Sequence, residues 1–154
     1  IKDKLISVIY LDLSNFEILE KNIKNLNFSY RKGFQYKNTI ILYGKFILQY
    51  GEQDLIKKLM KDYENMRNSS QPQKVNCCGS IFKNPPGYNA WKLIKSSIDE
   101  SFYKGPIKLS KKHSNFFEND PNINSDMIIL FINQIRERVY KKYNINLEPE
   151  LEIK

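Results

Sequence analysis

The first part of the chain has the apolar pattern of a β-hairpin. Residues 5–13 are β-branched and apolar with partial alternation, and a turn at Asn15 leads into a second apolar run at 16–19. A further strand is predicted over 39–48, which is dense in Ile, Leu, Tyr and Phe. Between them, residues 20–26 are predicted to form a short helix. The pattern therefore predicts strands in antiparallel arrangement for this part of the chain.

Two longer stretches have the 3.6-residue apolar period of amphipathic helices. From 52 to 66 the apolar residues repeat at that spacing, and lysines occupy the opposite face. A second helix is predicted over 126–143, with Ser125 as its N-cap. Lys141 and Lys142 lie at the end of this helix where the dipole favours positive charge.

The second half of the chain combines short elements with turns. The remaining predicted elements are a helix at 90–98 and strands at 106–109, 115–118 and 145–153. Pro149 confines the last of these strands to an edge or terminal position, because it has no backbone N–H to donate. The polar segment 69–74 is the one clear linker. Together the patterns predict an α+β fold, with antiparallel strands and packed helices in two lobes that meet near residues 71–74.

Charge and cysteine content narrow the classes of partner. The chain has 154 residues, with 25 Lys+Arg against 17 Asp+Glu, and its net charge is +8. The positive residues are scattered, which favours small anionic ligands over nucleic acid. The two cysteines, Cys77 and Cys78, are adjacent, a spacing that disfavours a relaxed disulfide and gives no metal site. Because no apolar run is long enough for a membrane span, we expect a soluble, cytoplasmic protein with reduced thiols and no membrane partner.

The candidate chemistry lies in residues 78–87, Cys-Gly-Ser-Ile-Phe-Lys-Asn-Pro-Pro-Gly. A hydroxyl (Ser80), a cation (Lys83) and an amide (Asn84) lie close together on a stiff turn, since Gly79 permits close backbone approach and the prolines fix φ. By itself this segment is equally consistent with a tight turn between two strands. Neither a glycine-rich phosphate loop nor a zinc-binding spacing occurs in the sequence, so no metal is expected.

Three segments in this order resemble the UDP-N-acetylenolpyruvoylglucosamine reductases, the MurB family of peptidoglycan synthesis. They are Phe-Ser-Tyr-Arg at 28–31, the segment 78–87, and Leu-Glu-Pro-Glu at 147–150. The resemblance covers only the back half of such a protein. It implies that residues 1–71 are the rear part of an FAD-binding domain and 72–154 the substrate-binding domain. The glycine-rich segments that cradle FAD in this family would lie in a missing N-terminal half.

The resemblance also implies an activity and a set of site residues. The family reduces UDP-N-acetylglucosamine enolpyruvate to UDP-N-acetylmuramate, with NADPH as hydride source and FAD as carrier. By position, the implied residues are Ser80 as proton donor, Glu150 and Arg31 at the substrate carboxylate, Tyr30 and Arg31 beside the flavin, and Asn84, Lys104 and His113 as substrate anchors.

Each residue alone has a simpler interpretation, and the function has an alternative. A lone Arg is most often a surface cation, a lone His near strands a structural histidine, and a strand Glu a solvated carboxylate. A non-catalytic fragment that binds a nucleotide sugar or a partner protein is the alternative to a reductase. The sequence distinguishes neither oligomeric states nor NADPH from NADH.

Overall fold

The chain folds as two compact units, residues 1–56 and 57–154. The computed structural model describes residues 2–34, 36–73 and 75–151. The division between the units falls inside helix α1, Gln53–Ser70. The domain boundary expected between residues 71 and 72 lies at the end of this helix and stays a prediction.

The first unit is built on a three-stranded antiparallel sheet in the order β2-β1-β3. Its strands are β1, Leu5–Asp12, β2, Glu17–Asn22, and β3, Thr39–Phe46. Tyr10 on the central strand lies opposite Leu19 on one side and Ile41 on the other. The predicted hairpin and the strand after it are therefore confirmed.

The predicted helix over 20–26 is wrong. Strand β2 continues to Asn22, and only a three-residue 3-10 turn, Ile23–Asn25, follows it. The polar side chains here bond across the sheet: the Ser7 hydroxyl donates to Glu20 at 2.6 Å, and Lys45 pairs with the same carboxylate at 2.9 Å. These cross-strand contacts stabilise the strand over the helix that the local pattern favours.

The second unit packs two helices on a two-stranded antiparallel sheet. Its elements are α2, Ala90–Ser97, a 3-10 turn, Glu100–Tyr103, β4, Ile107–Leu109, β5, Phe117–Asn119, and α3, Ser125–Tyr143. Its core combines residues of the helices, the sheet and the segments beside them: Ile81, Phe82, Leu93, Ile94, Leu109, Ile132, Ile135, Val139 and Leu147. The helices predicted over 90–98 and 126–143 and the strands predicted over 106–109 and 115–118 are confirmed, with small shifts of their ends.

Two details of the second unit correct the sequence-based expectations. The N-cap of α3 is Asn124, whose side chain accepts the Met127 N–H, and Ser125 is the first helical residue. The segment from residue 145 to 151 is not a strand and makes one isolated bridge, between Phe82 and Pro149. Because Pro149 has no N–H, a regular ladder cannot continue through it. The rest of the predicted strand, 152–154, lies outside the described residues.

The apolar face predicted for the 52–66 helix exists, but it is exposed. Helix α1 has no buried residue, and Leu55, Met60 and Tyr63 are each more than half exposed. Strand β3 is similar, since Ile41 and Tyr43 are also more than half exposed. Within the described ranges, no helix is both long and apolar enough to pass through a membrane.

Candidate functional site

Ser80 lies where an irregular loop enters the core of the second unit. The residue before it, Gly79, has φ of +85°, the left-handed region that glycine adopts without strain. The two residues after it, Ile81 and Phe82, are almost completely buried at 0% and 1% exposure. Ser80 itself is half-buried. Ser80 therefore lies at the edge of the core. The backbone before it turns at Gly79, and the backbone after it is buried with Ile81 and Phe82.

The buried side chain of Asn115 holds this segment in place. Its Oδ1 accepts the Phe82 N–H at 3.0 Å, and its Nδ2 donates to the Phe82 carbonyl at 2.8 Å. The Asn115 carbonyl also accepts the Ile81 N–H at 2.8 Å. One amide side chain thus satisfies both backbone groups of a buried residue, as a neighbouring strand would. Sequence reasoning did not identify this residue, because nothing local to position 115 indicates a partner at position 82.

The C-terminal segment runs antiparallel to residues 81–83. Glu148 accepts the Lys83 N–H through its carbonyl at 2.9 Å, and the Glu150 N–H donates to the Ile81 carbonyl at 2.8 Å. These bonds place the backbone of Glu150 beside Ile81, next to Ser80. The structure therefore brings the serine and glutamate segments together, as the predicted site requires.

The two described glutamates of this segment differ in environment. Glu148 is exposed and forms an ion pair with Lys83. Glu150 is half-buried, and its Oε2 atom is excluded from solvent. Because the segment is not a regular strand, strand alternation does not determine where these two side chains point. Of the two, Glu150 has the environment of a functional carboxylate.

Asn84 and His113 lie on either side of the start of helix α2. The Asn84 Oδ1 accepts the Ala90 N–H at 2.9 Å, so this side chain satisfies one of the open backbone donors of the helix. The His113 ring lies 6.1 Å from the ring of Trp91, the second residue of the same helix. The structure thus brings two of the three predicted substrate anchors to one helix terminus.

The His113 side chain also contacts Asn115 and Phe116. Its Nδ1 accepts the Asn115 N–H at 3.3 Å, and its ring meets the edge of Phe116 at 4.8 Å. Burial lowers the pKa of His113 below its usual value. This shift favours the neutral imidazole, and the hydrogen bond that Nδ1 accepts favours the tautomer with its proton on Nε2.

This environment predicts a pH dependence of stability. As the pH falls from about 6.5, the unfolded chain takes up the histidine proton before the folded chain does. The free energy of unfolding should therefore fall between pH 7 and pH 5, above the range in which the carboxylates titrate. His113 is the single histidine of the chain, so its NMR titration can be followed without overlap. His113→Gln should flatten the stability profile over this window, and an unchanged slope in that variant would contradict the assignment.

Lys104 lies away from these anchors. It is exposed and follows the 3-10 turn before β4, with its N–H donating to the Ser101 carbonyl at 3.2 Å. It lines a small cavity of about 200 Å³ together with Phe131 and Gln134, and neither Asn84 nor His113 lines that cavity. Its role as a substrate anchor stays a prediction.

Tyr30 and Arg31 form an exposed turn in the first unit. The turn is closed by two backbone hydrogen bonds between Ser29 and Lys32, at 2.9 and 3.0 Å. Arg31 has φ of +58°, a left-handed conformation that costs a non-glycine residue about 1 kcal/mol. Its guanidinium lies 5.5 Å from the centre of the Tyr30 ring. The strained turn presents a cation and an aromatic ring side by side.

A basic cavity that the sequence did not indicate lies beside β4. It has a volume of about 400 Å³, and Lys108, Lys111 and Lys112 contribute to its wall together with Glu118. None of the predicted site residues lines it. Among the described residues, no group of three or more His, Cys, Asp or Glu could hold a metal ion, and both cysteines are free thiols.

Comparison with known proteins decides the family. Residues 71–154 match the family model described as UDP-N-acetylenolpyruvoylglucosamine reductase, C-terminal domain. The chain belongs to this family. A relative of that name from Exiguobacterium sibiricum is 38% identical over 138 residues, which are 89% of this chain and 45% of the relative. Another from Caldanaerobacter subterraneus is 35% identical over 99% of this chain and 50% of its own length.

The family assignment and the α+β fold predicted from the sequence are both confirmed. The crystal structure titled UDP-N-acetylenolpyruvylglucosamine reductase (MurB) from Thermus caldophilus superposes with a TM-score of 0.79 over 98% of this chain. At 23% identity this likeness shows the fold alone, and it covers 53% of the Thermus chain. The chain spans about half the length of the relatives it matches.

Proposed function

We propose that this chain is part of an enzyme that reduces UDP-N-acetylglucosamine enolpyruvate to UDP-N-acetylmuramate in peptidoglycan synthesis, in the cytoplasm. The observation that carries the proposal is the hydrogen-bonded pairing of the Ser80 and Glu150 segments at the edge of the core. The relatives of the chain are named as reductases of this type, which supports the same reaction here. Residues 72–154 would be the substrate-binding domain and residues 1–71 the rear part of the FAD-binding domain.

Ser80 and Glu150 have separate chemical tasks in this proposal. Addition of a hydride to the enolpyruvyl double bond leaves a carbanion on the carbon next to the carboxylate. The Ser80 hydroxyl donates a proton to that carbon, which is far more basic than an ordinary lone pair. Glu150 would stabilise the charge as it develops on the substrate carboxylate, and Arg31 is assigned the same task by the family resemblance. The rigid backbone on both sides of Ser80 suits this task, because proton transfer requires a fixed donor.

The residues present are compatible with an FAD ring beside the first unit. Tyr30 and Arg31 offer an aromatic face and a cation on one exposed turn, which suits a planar group with electron-rich edges. FAD, when bound, supplies the hydride, and NADPH is its proposed source. Tyr30 and Arg31 would hold and orient the ring.

The proposed partner is the N-terminal half of a complete reductase. The apolar surfaces of α1 and β3 support this, since Leu55, Tyr63 and Tyr43 are each at least 57% exposed. Exposed apolar side chains on one helix and on one strand are each typical of a face that another polypeptide segment covers. The phosphates of FAD would be bound by that half.

Substrate binding can be measured on the chain itself. We expect UDP-N-acetylglucosamine to bind weakly in calorimetry, and Lys104→Ala to reduce its affinity about tenfold, because a cation bonded to a phosphate is lost. Lys141→Ala removes an equally exposed lysine from the last turn of α3 and should change little. Asn84→Ala should also weaken binding, and it should cost about 1 kcal/mol of stability, since the Ala90 N–H loses its acceptor. If Lys104→Ala and Asn84→Ala bind the nucleotide sugar as tightly as the parent protein does, the anchoring roles of Lys104 and Asn84 are contradicted.

Measurements on a protein extended by the N-terminal half distinguish a reductase from a non-catalytic protein that binds a nucleotide sugar. We expect the extended protein to show flavin absorbance and to oxidise NADPH over repeated turnovers only when the enolpyruvyl substrate is present to reoxidise the flavin. Binding of the nucleotide sugar without flavin absorbance or turnover would instead identify a non-catalytic binding protein.

A further inference from the structure

Trp91 is the only tryptophan of the chain, and it lies near two of the predicted substrate anchors, Asn84 and His113. It is the second residue of α2, and Asn84 holds the backbone N–H of the residue before it. The His113 ring is 6.1 Å away at an interplanar angle of 49°. The side chain is half-exposed, so part of the indole faces solvent. A large aromatic surface is therefore held in position beside an amide and an imidazole.

The surroundings of Trp91 are rigid. The start of α2 is fixed through Asn84, and Ala90 is completely buried. His113 is fixed through its contacts with Asn115 and Phe116. A tryptophan that served only to fill the core would be buried like Leu93 and Ile94 of the same helix. The exposed part of the indole and the His113 ring 6.1 Å away offer an aromatic face and a polar group side by side at the surface.

We propose that Trp91 is a stacking platform for the uracil base of the nucleotide sugar, an inference that rests on the function proposed above. The uridine diphosphate contains one planar aromatic group, the base, and stacking on an indole is the strongest contact available to it. The Nε2–H of His113 can donate to a uracil carbonyl, because it is neutral and its other nitrogen is already engaged. Asn84 lies at the same helix end.

Lys92 competes for the same surface. Its Nζ lies 5.7 Å from the centre of the Trp91 ring. A cation–π contact at an exposed site contributes only a factor of a few in affinity, whereas stacking of a base contributes about tenfold or more. Since Lys92 is exposed, its ammonium can leave the ring when the base binds. Once displaced, it is available to a phosphate of the same ligand.

Fluorescence tests the platform directly, because all tryptophan emission of the chain comes from Trp91. We expect emission to change saturably when the 154-residue chain is titrated with UMP or UDP-N-acetylglucosamine. N-acetylglucosamine 1-phosphate, which has the sugar and phosphate without the base, should leave the emission unchanged. A change of the same size with the base-free ligand would overturn the proposal.

Calorimetry with variants gives a second, independent measurement. Trp91→Ala should weaken binding of UMP about tenfold or more, and Trp91→Phe should keep most of the affinity. Tyr140→Ala, which removes another exposed aromatic side chain, is the matched control and should bind like the parent. Alanine favours helix, so circular dichroism should confirm that the Trp91→Ala protein is folded.

The outcomes separate this proposal from the proposed function. If Trp91→Ala binds UMP and UDP-N-acetylglucosamine as tightly as the parent, the platform is wrong and the nucleotide-sugar site stands. If the folded parent chain binds neither compound at millimolar concentration, both the platform and the substrate-binding role fail.

Discussion

Ser80→Ala, in an extended protein that contains this chain, should slow reduction of the enolpyruvyl substrate by about two to four orders of magnitude, as expected for loss of a positioned general acid. Oxidation of NADPH by the flavin should stay nearly unchanged, because the role proposed for Ser80 begins only after hydride has reached the substrate. Stopped-flow absorbance at the flavin band measures the two half-reactions separately. Ser80→Cys should recover part of the rate, since a thiol of similar reach can also donate a proton.

The glutamates provide a matched comparison for the same experiment. Glu150→Gln should slow the substrate half-reaction but keep some hydrogen bonding, whereas Glu148→Gln should have little effect. The two residues share one segment, yet Glu150 has a buried carboxylate oxygen and Glu148 is exposed with Lys83 as its partner. If Ser80→Ala reduces substrate at the parental rate, the serine is only a turn residue and the central assignment is wrong.

Local periodicity predicted most of the secondary structure correctly. The hairpin of β1 and β2 and the helices α1 and α3 all follow from the spacing of apolar residues over eight or more positions. The failures occur where tertiary contacts override a short local pattern. Residues 20–22 continue as a strand because Glu20 bonds to Ser7 and Lys45, both distant in sequence.

The last segment shows a different limit of sequence reasoning. Alternation over residues 145–153 predicted a strand, which Pro149 confined to an edge or terminal position, yet the described part, 145–151, forms one isolated bridge. Periodicity indicates which face a residue occupies, but not which segment lies beside it. The pairing of residues 81–83 with 148–150 joins positions at least 65 apart, and no local pattern carries that information.

The candidate site was found largely through family resemblance. Ser80, Asn84 and Glu150 follow from matching segments, and the structure places the serine and glutamate backbones together. Asn115 was missed, because its role depends on facing Phe82 across a gap of 33 residues. Trp91 is not among the residues that the resemblance implies, and its proximity to His113 follows only from the fold.

Asn115→Ala should lower the free energy of unfolding of the second unit by about 2–4 kcal/mol. The substitution removes two side-chain hydrogen bonds, to the N–H and the carbonyl of Phe82, which is 1% exposed. No water can replace these partners without entering the core, and each buried group left unsatisfied costs about 1–3 kcal/mol. Urea denaturation measures the loss, and hydrogen exchange at the Phe82 amide should become much faster.

Asn119→Ala is the control for this prediction. Its Nδ2 donates only to the Asp120 carbonyl, in an exposed position, so its removal should cost less than about 0.5 kcal/mol. Asn115→Asp provides a further discrimination, because a carboxylate still accepts the Phe82 N–H but repels the Phe82 carbonyl. That variant should be destabilised at pH 7 and should recover part of its stability at low pH, when the carboxyl can donate again. If Asn115→Ala lowers the free energy of unfolding no more than Asn119→Ala does, the hydrogen bonds from Asn115 to Phe82 are not what holds the Ser80 segment. The contacts with residues 148–150 would then hold it.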